Sequence, residues 1–149
     1  MQKQHSLTWV LFLRSKEEFN LKLIIAEKPS VALAIAKALN IKGSRDGYIE
    51  NGEYIISWCV GHLVAAAFPE EYNEKYSKWN YADLPIIPDN FKYKIYGDKQ
   101  KQFKVVKGLM SRKDVSEVIN ACDAGREGEL IFRLVYNMAN CKKPFDRLF

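Results

Sequence analysis

Residues 118–138 read VINACDAGREGELIFRLVYNM. Val118 to Cys122 is short and mostly apolar, the pattern of a strand buried on both faces of a parallel sheet. Asp123 ends the run, and a short turn containing Gly125 follows. Leu130, Ile131, Leu134, Val135 and Met138 then recur at helical spacing and predict one apolar stripe. An earlier stretch has the same form. Leu21 to Ala26 (LKLIIA) predicts a buried strand, Glu27-Lys28-Pro29-Ser30 a tight turn, and Val31 to Leu39 a helix rich in alanine and leucine. Pro29 suits a first helical turn, where an N–H has no partner, and Asn40 and Gly43 can close the helix. Two strand–turn–helix units predict an α/β fold with a mainly parallel sheet flanked by helices.

The middle of the chain is an insertion between those units. Asn51-Gly52, flanked by Gly47-Tyr48-Ile49 and Tyr54-Ile55-Ile56, signals a hairpin. Residues 69–91 carry Pro69, Pro85 and Pro88 among aromatics and predict an irregular surface excursion. Phe103, Val106 and Met110 give helical spacing between Lys99 and Met110. Residues 92–113 hold eight basic residues and one acid, Asp98, which fits a solvated helix face as well as a nucleic-acid track.

With 149 residues, 48% of them hydrophobic, the chain is about one domain long and rich enough to bury a core. A formal charge of +5 favours a polyanionic partner without specifying any chemistry. Cys59, Cys122 and Cys141 are widely spaced, which argues against a zinc site or a disulfide framework and predicts reduced thiols in a cytoplasmic protein. Leu7 to Leu13 is far short of the ~20 residues that span a bilayer, and no cleavage site follows it, so neither a membrane segment nor a signal peptide is expected. Residues 1–20 are read as an N-terminal extension, with Leu21 as a candidate natural start.

Open α/β sheets bind ligands beyond the carboxyl ends of their strands. Glu27 follows the first strand, Asp123 the later one, and Glu127 lies four residues beyond Asp123. If the two strands are neighbours, these three carboxylates converge, and their mutual repulsion calls for a divalent cation. Glu129 should point elsewhere. Magnesium takes one or two carboxylates and completes its shell with water and phosphate oxygens. Lys28 and Arg126 supply positive charge for a phosphate at the same place. Taken singly, an acid near a helix start is more often a cap or a dipole partner. Joint placement at two strand ends points instead to metal-dependent phosphate chemistry.

The segments IIAEKPSVALAIAKAL (24–39), SWCVGHL (57–63), EEYNEKYSKWNYADLPIIP (70–88) and ACDAGREGELIFR (121–133) resemble bacterial DNA topoisomerase III, of the type IA topoisomerase family. The resemblance covers residues 21–149 and implies a Toprim domain, a Rossmann-like α/β fold. It also implies that Glu27 and Lys28 are catalytic, Glu27 as a metal ligand or as proton donor to the leaving 3′-oxygen and Lys28 at the scissile phosphate. Asp123 and Glu127 would hold Mg²⁺ with Glu27, while Lys28, His62, Trp79 and Arg126 would contact DNA. The implied function is ATP-independent cleavage, strand passage and religation of single-stranded or negatively supercoiled DNA, in a monomeric cytoplasmic enzyme with no membrane partner.

Two departures qualify that expectation. Gly125 stands where the usual DxDxE motif has its second aspartate, which favours one Mg²⁺ over two. The tyrosine that forms the 5′-phosphotyrosine belongs to a later domain of the family, so these residues alone are expected to be inactive, a fragment needing the other topoisomerase domains. Other readings of the acids are a non-catalytic DNA- or Mg²⁺-binding Toprim module, a Toprim nuclease or primase, and a phosphate receiver using Asp123.

Overall fold

The computed structural model describes residues 20–149, so the extension expected over residues 1–20 lies, Asn20 apart, outside the described residues. β1 (Leu21–Ala26) is the hub of the sheet, and its side chains are buried on both faces. The chain continues through α1 (Pro29–Ala38), β2 (Ser44–Arg45), β3 (Tyr48–Glu50) and β4 (Tyr54–Trp58). After β5 (Val64–Ala66), an excursion built on three short 3₁₀ turns leads to β6 (Tyr93–Ile95) and α2 (Gln100–Met110). β7 (Val115–Ala121), α3 (Arg126–Met138) and β8 (Phe145–Arg147) complete the fold.

Six strands form one sheet in the order β2-β3-β4-β1-β7-β8. β4, β1, β7 and β8 run parallel, and β3 and β2 extend the edge as an antiparallel meander. The expected adjacency of the two strand–turn–helix units holds, since Ala26 pairs in register with Ala121. It also pairs with Trp58 on the other side. Three parallel strands therefore end level with one another. β5 and β6 form a separate two-stranded ribbon at the root of the excursion.

The sheet has one hydrophobic cluster on each face. α1 sits on one face through Ala32 and Ala36, small residues that let its backbone approach Ile24, Ile56 and Ala121. α2 and α3 cover the other face, where Phe103, Val106, Ile131 and Phe132 pack on Leu23 and Val118. Here the expected α3 stripe needs correcting. Leu130 is exposed, and the buried line runs through Gly128, Ile131, Phe132 and Val135. Phe132, which the stripe omitted, is among the largest fully buried side chains and meets Tyr136 and Phe145 at ring-centroid distances of 5.7 and 5.3 Å. β7 begins three residues earlier than the sequence pattern suggested, because Val115 is buried although the polar Ser116 and Glu117 interrupt the run.

The end of the sheet away from the acids is tied by ion pairs. Arg112 donates from Nε and Nη2 to both carboxylate oxygens of Asp114 and from Nη1 to Glu50. Lys143 donates to the carbonyls of Arg112 and Val115, at 2.9 and 2.6 Å. Arg112 holds the Asp114 carboxyl below its ordinary value of 3.8. A carboxylate lowered in this way stabilises the fold above its unfolded pKa and loses that contribution as pH falls through the folded one. The wild type should therefore lose stability more steeply than Asp114→Asn on acidification below about pH 4, measured by urea denaturation at successive pH values. Phe132→Ala should cost about 3–5 kcal/mol in the same assay at neutral pH.

Candidate functional site

Glu27, Cys59 and Cys122 each lie one residue beyond the aligned carboxyl ends of β1, β4 and β7. Glu27 is 8% exposed, beside the core rather than on the surface. Lys28 reaches over it, with Nζ 3.4 Å from Glu27 Oε1 and 3.8 Å from Asp123 Oδ2. One ammonium thus answers two carboxylates from neighbouring strands. Lys28 is also the extended residue before α1, where Pro29 takes the first helical position.

The loop after β4 folds back over the same end. Val60 and Gly61 both have positive φ, 51° and 67°. Glycine adopts this region freely, while for a β-branched valine it costs about 1–2 kcal/mol. The strain is held by two backbone hydrogen bonds, Cys59 N–H to the Ala26 carbonyl and Gly61 N–H to the Glu27 carbonyl, and by Lys99, whose Nζ donates to the Val60 carbonyl at 3.2 Å. Its result is to bring His62 Nε2 to 2.5 Å from Glu127 Oε1.

α3 starts unusually close to the end of β7. A Cβ on Gly128 would lie 2.1 Å from the Asp123 carbonyl oxygen, so only glycine permits this approach. Gly125 differs: its backbone is extended, with φ of −176°, and a Cβ there would meet open space. Neither α1 nor α3 has a side-chain cap hydrogen bond, so Glu27 and Asp123 are not caps. Glu127 and Glu129 do lie in the first turn of α3, where the helix dipole favours a negative charge.

The structure unites only part of the expected acid set. Glu27 and Asp123 meet at Lys28, whereas Glu127 is engaged by His62. Among the described residues no three His, Cys, Asp or Glu side chains form a group that could hold a metal; the acids stand as a pair sharing a lysine, with Glu127 on His62. The donors still suit a hard cation. Asp123 and Glu127 present side chains 61% and 72% exposed, leaving room for the water that magnesium retains. That chemistry fits a largely hydrated ion on one or two carboxylates and not an all-protein cage.

Of the residues expected to face DNA, Lys28 and Arg126 lie exposed at the acid end. His62 is tied to Glu127, and Trp79, 80% exposed, sits out on the excursion. Three residues at the site escaped the sequence reading. Glu129 accepts hydrogen bonds from Asn120 Nδ2 at 3.0 Å, Arg133 Nε at 2.6 Å and Arg147 Nη1 at 2.6 Å. Arg133 and then Arg147 hold its carboxyl below the ordinary carboxylate range against the opposing effect of burial. The only sequence signals were a polar Asn120 in an apolar strand and the four-residue spacing of Glu129 and Arg133. Arg147 had none, because β8 was not foreseen. The three cysteines are free and buried, and contact with Cys122 together with burial pushes the Cys59 thiol up, favouring its neutral form. No described helix is long and apolar enough to cross a membrane.

Comparison with known proteins agrees with this geometry. The Toprim domain model matches residues 22–149. Over 127 residues, 85% of this chain and 18% of the relative, the sequence is 54% identical to DNA topoisomerase 3 of Staphylococcus haemolyticus. Identity is 51% to DNA topoisomerase 3 of Staphylococcus epidermidis and 50% to that of Staphylococcus aureus, over the same shares. The match spans under a fifth of the length of these relatives. The chain belongs to the Toprim domain family, and it is homologous to the corresponding part of DNA topoisomerase 3.

Proposed function

We propose that this Toprim domain is the metal-binding part of a type IA DNA topoisomerase, in which it serves the cleavage and resealing of one DNA strand. The observation that carries the reading is the meeting of Glu27 and Asp123 at Lys28 on the ends of adjacent parallel strands. In the proposed reaction a tyrosine from another domain attacks phosphorus and becomes the 5′-phosphotyrosine, and the 3′-oxygen leaves. The proton that the tyrosine releases passes to the Glu27 carboxylate, which hands it to the leaving 3′-oxygen, and the transfer reverses on religation. Lys28 steadies the scissile phosphate, and Arg126 the neighbouring backbone. Asp123 and Glu127 would hold Mg²⁺, with Glu127 freed from its contact with His62. When bound, the ion supplies positive charge against the phosphate oxygens.

The DNA partner is single-stranded or negatively supercoiled, with Trp79 offering a face for base stacking worth ~1–3 kcal/mol per base. The remaining partners are the other domains of the topoisomerase, in a monomeric cytoplasmic enzyme. Gly125 and the lack of a three-acid group among the described residues favour a second reading, a DNA-binding module without catalytic metal.

Magnesium titration of this chain by calorimetry separates the two. Binding in the millimolar range or tighter that Asp123→Asn and Glu127→Gln each weaken at least tenfold supports the catalytic reading. Absence of binding, both alone and with single-stranded oligonucleotide present, supports the module. Gly125→Asp adds a carboxylate where the backbone and the surrounding space accept one. It should leave folding stability within ~0.5 kcal/mol of wild type while tightening Mg²⁺ binding in the same titration. Unchanged affinity would mean that position 125 does not face the ion.

A further inference from the structure

Glu129 and Arg147 lie outside every role assigned so far; Arg147 reaches the turn that carries Asp123, and Glu129 holds Arg147 there. Arg147 stands in β8, at the far edge of the sheet, with its side chain largely buried. Its guanidinium divides its bonds: Nη1 donates to Glu129 Oε2 and Nη2 to the Asp123 carbonyl, both at 2.6 Å. That carbonyl also accepts the Gly125 N–H at 2.8 Å, so both ends of the two-residue step out of β7 are fixed. Glu129 is in turn held by Asn120, a fully buried β7 side chain whose Oδ1 accepts the Cys122 N–H at 3.1 Å. The strand end, the turn, the first turn of α3 and β8 are closed into one hydrogen-bonded circuit.

We infer that Glu129 and Arg147 are positioning residues that fix the backbone of the Asp123 turn, and through it the direction of the Asp123 carboxylate. They touch no reacting group in this arrangement. A carboxylate at the end of a strand, followed by two residues with open space around them, has little else to set its direction. Gly125 contributes no side chain to the packing, and among the described residues the one charged partner of the Asp123 side chain is Lys28 at 3.8 Å. Partners behind metal ligands commonly alter metal affinity 10–100-fold when removed. The charge of Arg147 is satisfied by Glu129, so its hold on a neutral carbonyl is geometric rather than a means of neutralising the site. The consequence for Mg²⁺ rests on the metal reading proposed above, whereas the bracing of the turn does not.

The experiment uses this chain with Arg147→Met, Arg147→Lys and Glu129→Gln. Amide hydrogen exchange by NMR at Cys122 and Gly125, the two amides bonded within the circuit, is compared with exchange at core amides of β1 and β7, and Mg²⁺ affinity is titrated in parallel. Exchange should accelerate at least tenfold at the turn in Arg147→Met and Glu129→Gln with little change in the core, a localisation that general destabilisation does not produce. Mg²⁺ affinity should fall about tenfold in those two, and Arg147→Lys, which loses the forked geometry but keeps the charge, should recover part of each loss. If Arg147→Met does not fold, Glu129→Gln and Arg147→Lys carry the comparison. Unchanged exchange at the turn overturns the inference, as does faster exchange with Mg²⁺ affinity within twofold of wild type. Wild type that binds no Mg²⁺ overturns the metal reading instead, and the exchange data then decide the bracing by themselves.

Discussion

The closeness of α3 to the end of β7 governs the arrangement of the acid end. Gly128 makes that approach possible, since any Cβ there would overlap the Asp123 carbonyl. Because the helix begins so near, Glu127 is carried within reach of His62 and Glu129 is turned back toward Asn120. Move the helix outward by the radius of a methyl group and both contacts lengthen together. Ile131, Phe132 and Val135 hold it in place, so the core on that face of the sheet and the geometry of the acids are one packing problem.

Charge balance follows from the same placement. Four carboxylates at neighbouring strand and helix ends repel one another, and each faces a basic side chain. Lys28 serves Glu27 and Asp123, His62 meets Glu127, and Arg133 and Arg147 serve Glu129. These are not equivalent. The Glu129 pairs are short and lie under β8, whereas Lys28 is half exposed and stands at the longer distances. Exposed pairs are weak and easily exchanged. The site thus has a fixed layer beneath an exchangeable one, and the proposed DNA phosphate and cation belong to the exchangeable layer.

Much of this was legible in the sequence, and the reasons are local. β1 and the Asp123 turn announce themselves because a strand buried on both faces needs a continuous apolar run, and the residues closing it are the ones placed at the sheet's carboxyl edge. Phe132 was lost to Leu130 because two helical lines fit the same apolar residues, and Gly128, whose close approach to Asp123 shows which line faces the sheet, carries no side chain to mark it. Arg147 was invisible for a different reason. Its strand is three residues long, and its partners Glu129 and Asp123 lie 18 and 24 positions away, so no periodicity connects them. Convergence of the acids was half legible: strand adjacency brings Glu27 and Asp123 together, but side-chain partners decide where Glu127 goes.

The basic stretch illustrates how tertiary pairing redistributes a charge that composition reports only as a sum. Of its eight cations, Lys94, Lys99, Lys101 and Arg112 lie against Glu71, Asp98, Asp46 and Glu50, so half of the apparent track is matched by acids, some from distant parts of the chain. Two of these basic residues also shape the fold, since Lys99 pins the strained Val60 turn and Arg112 ties the connection before β7 to β3. Attraction for a polyanion along 92–113 is correspondingly weaker than a count of lysines suggests. Lys28 and Arg126, by contrast, stand at the aligned strand ends, where the proposed phosphate would also meet the acids. The modest net charge therefore matters less than its location, with the cations nearest the acids best placed to meet the proposed DNA backbone.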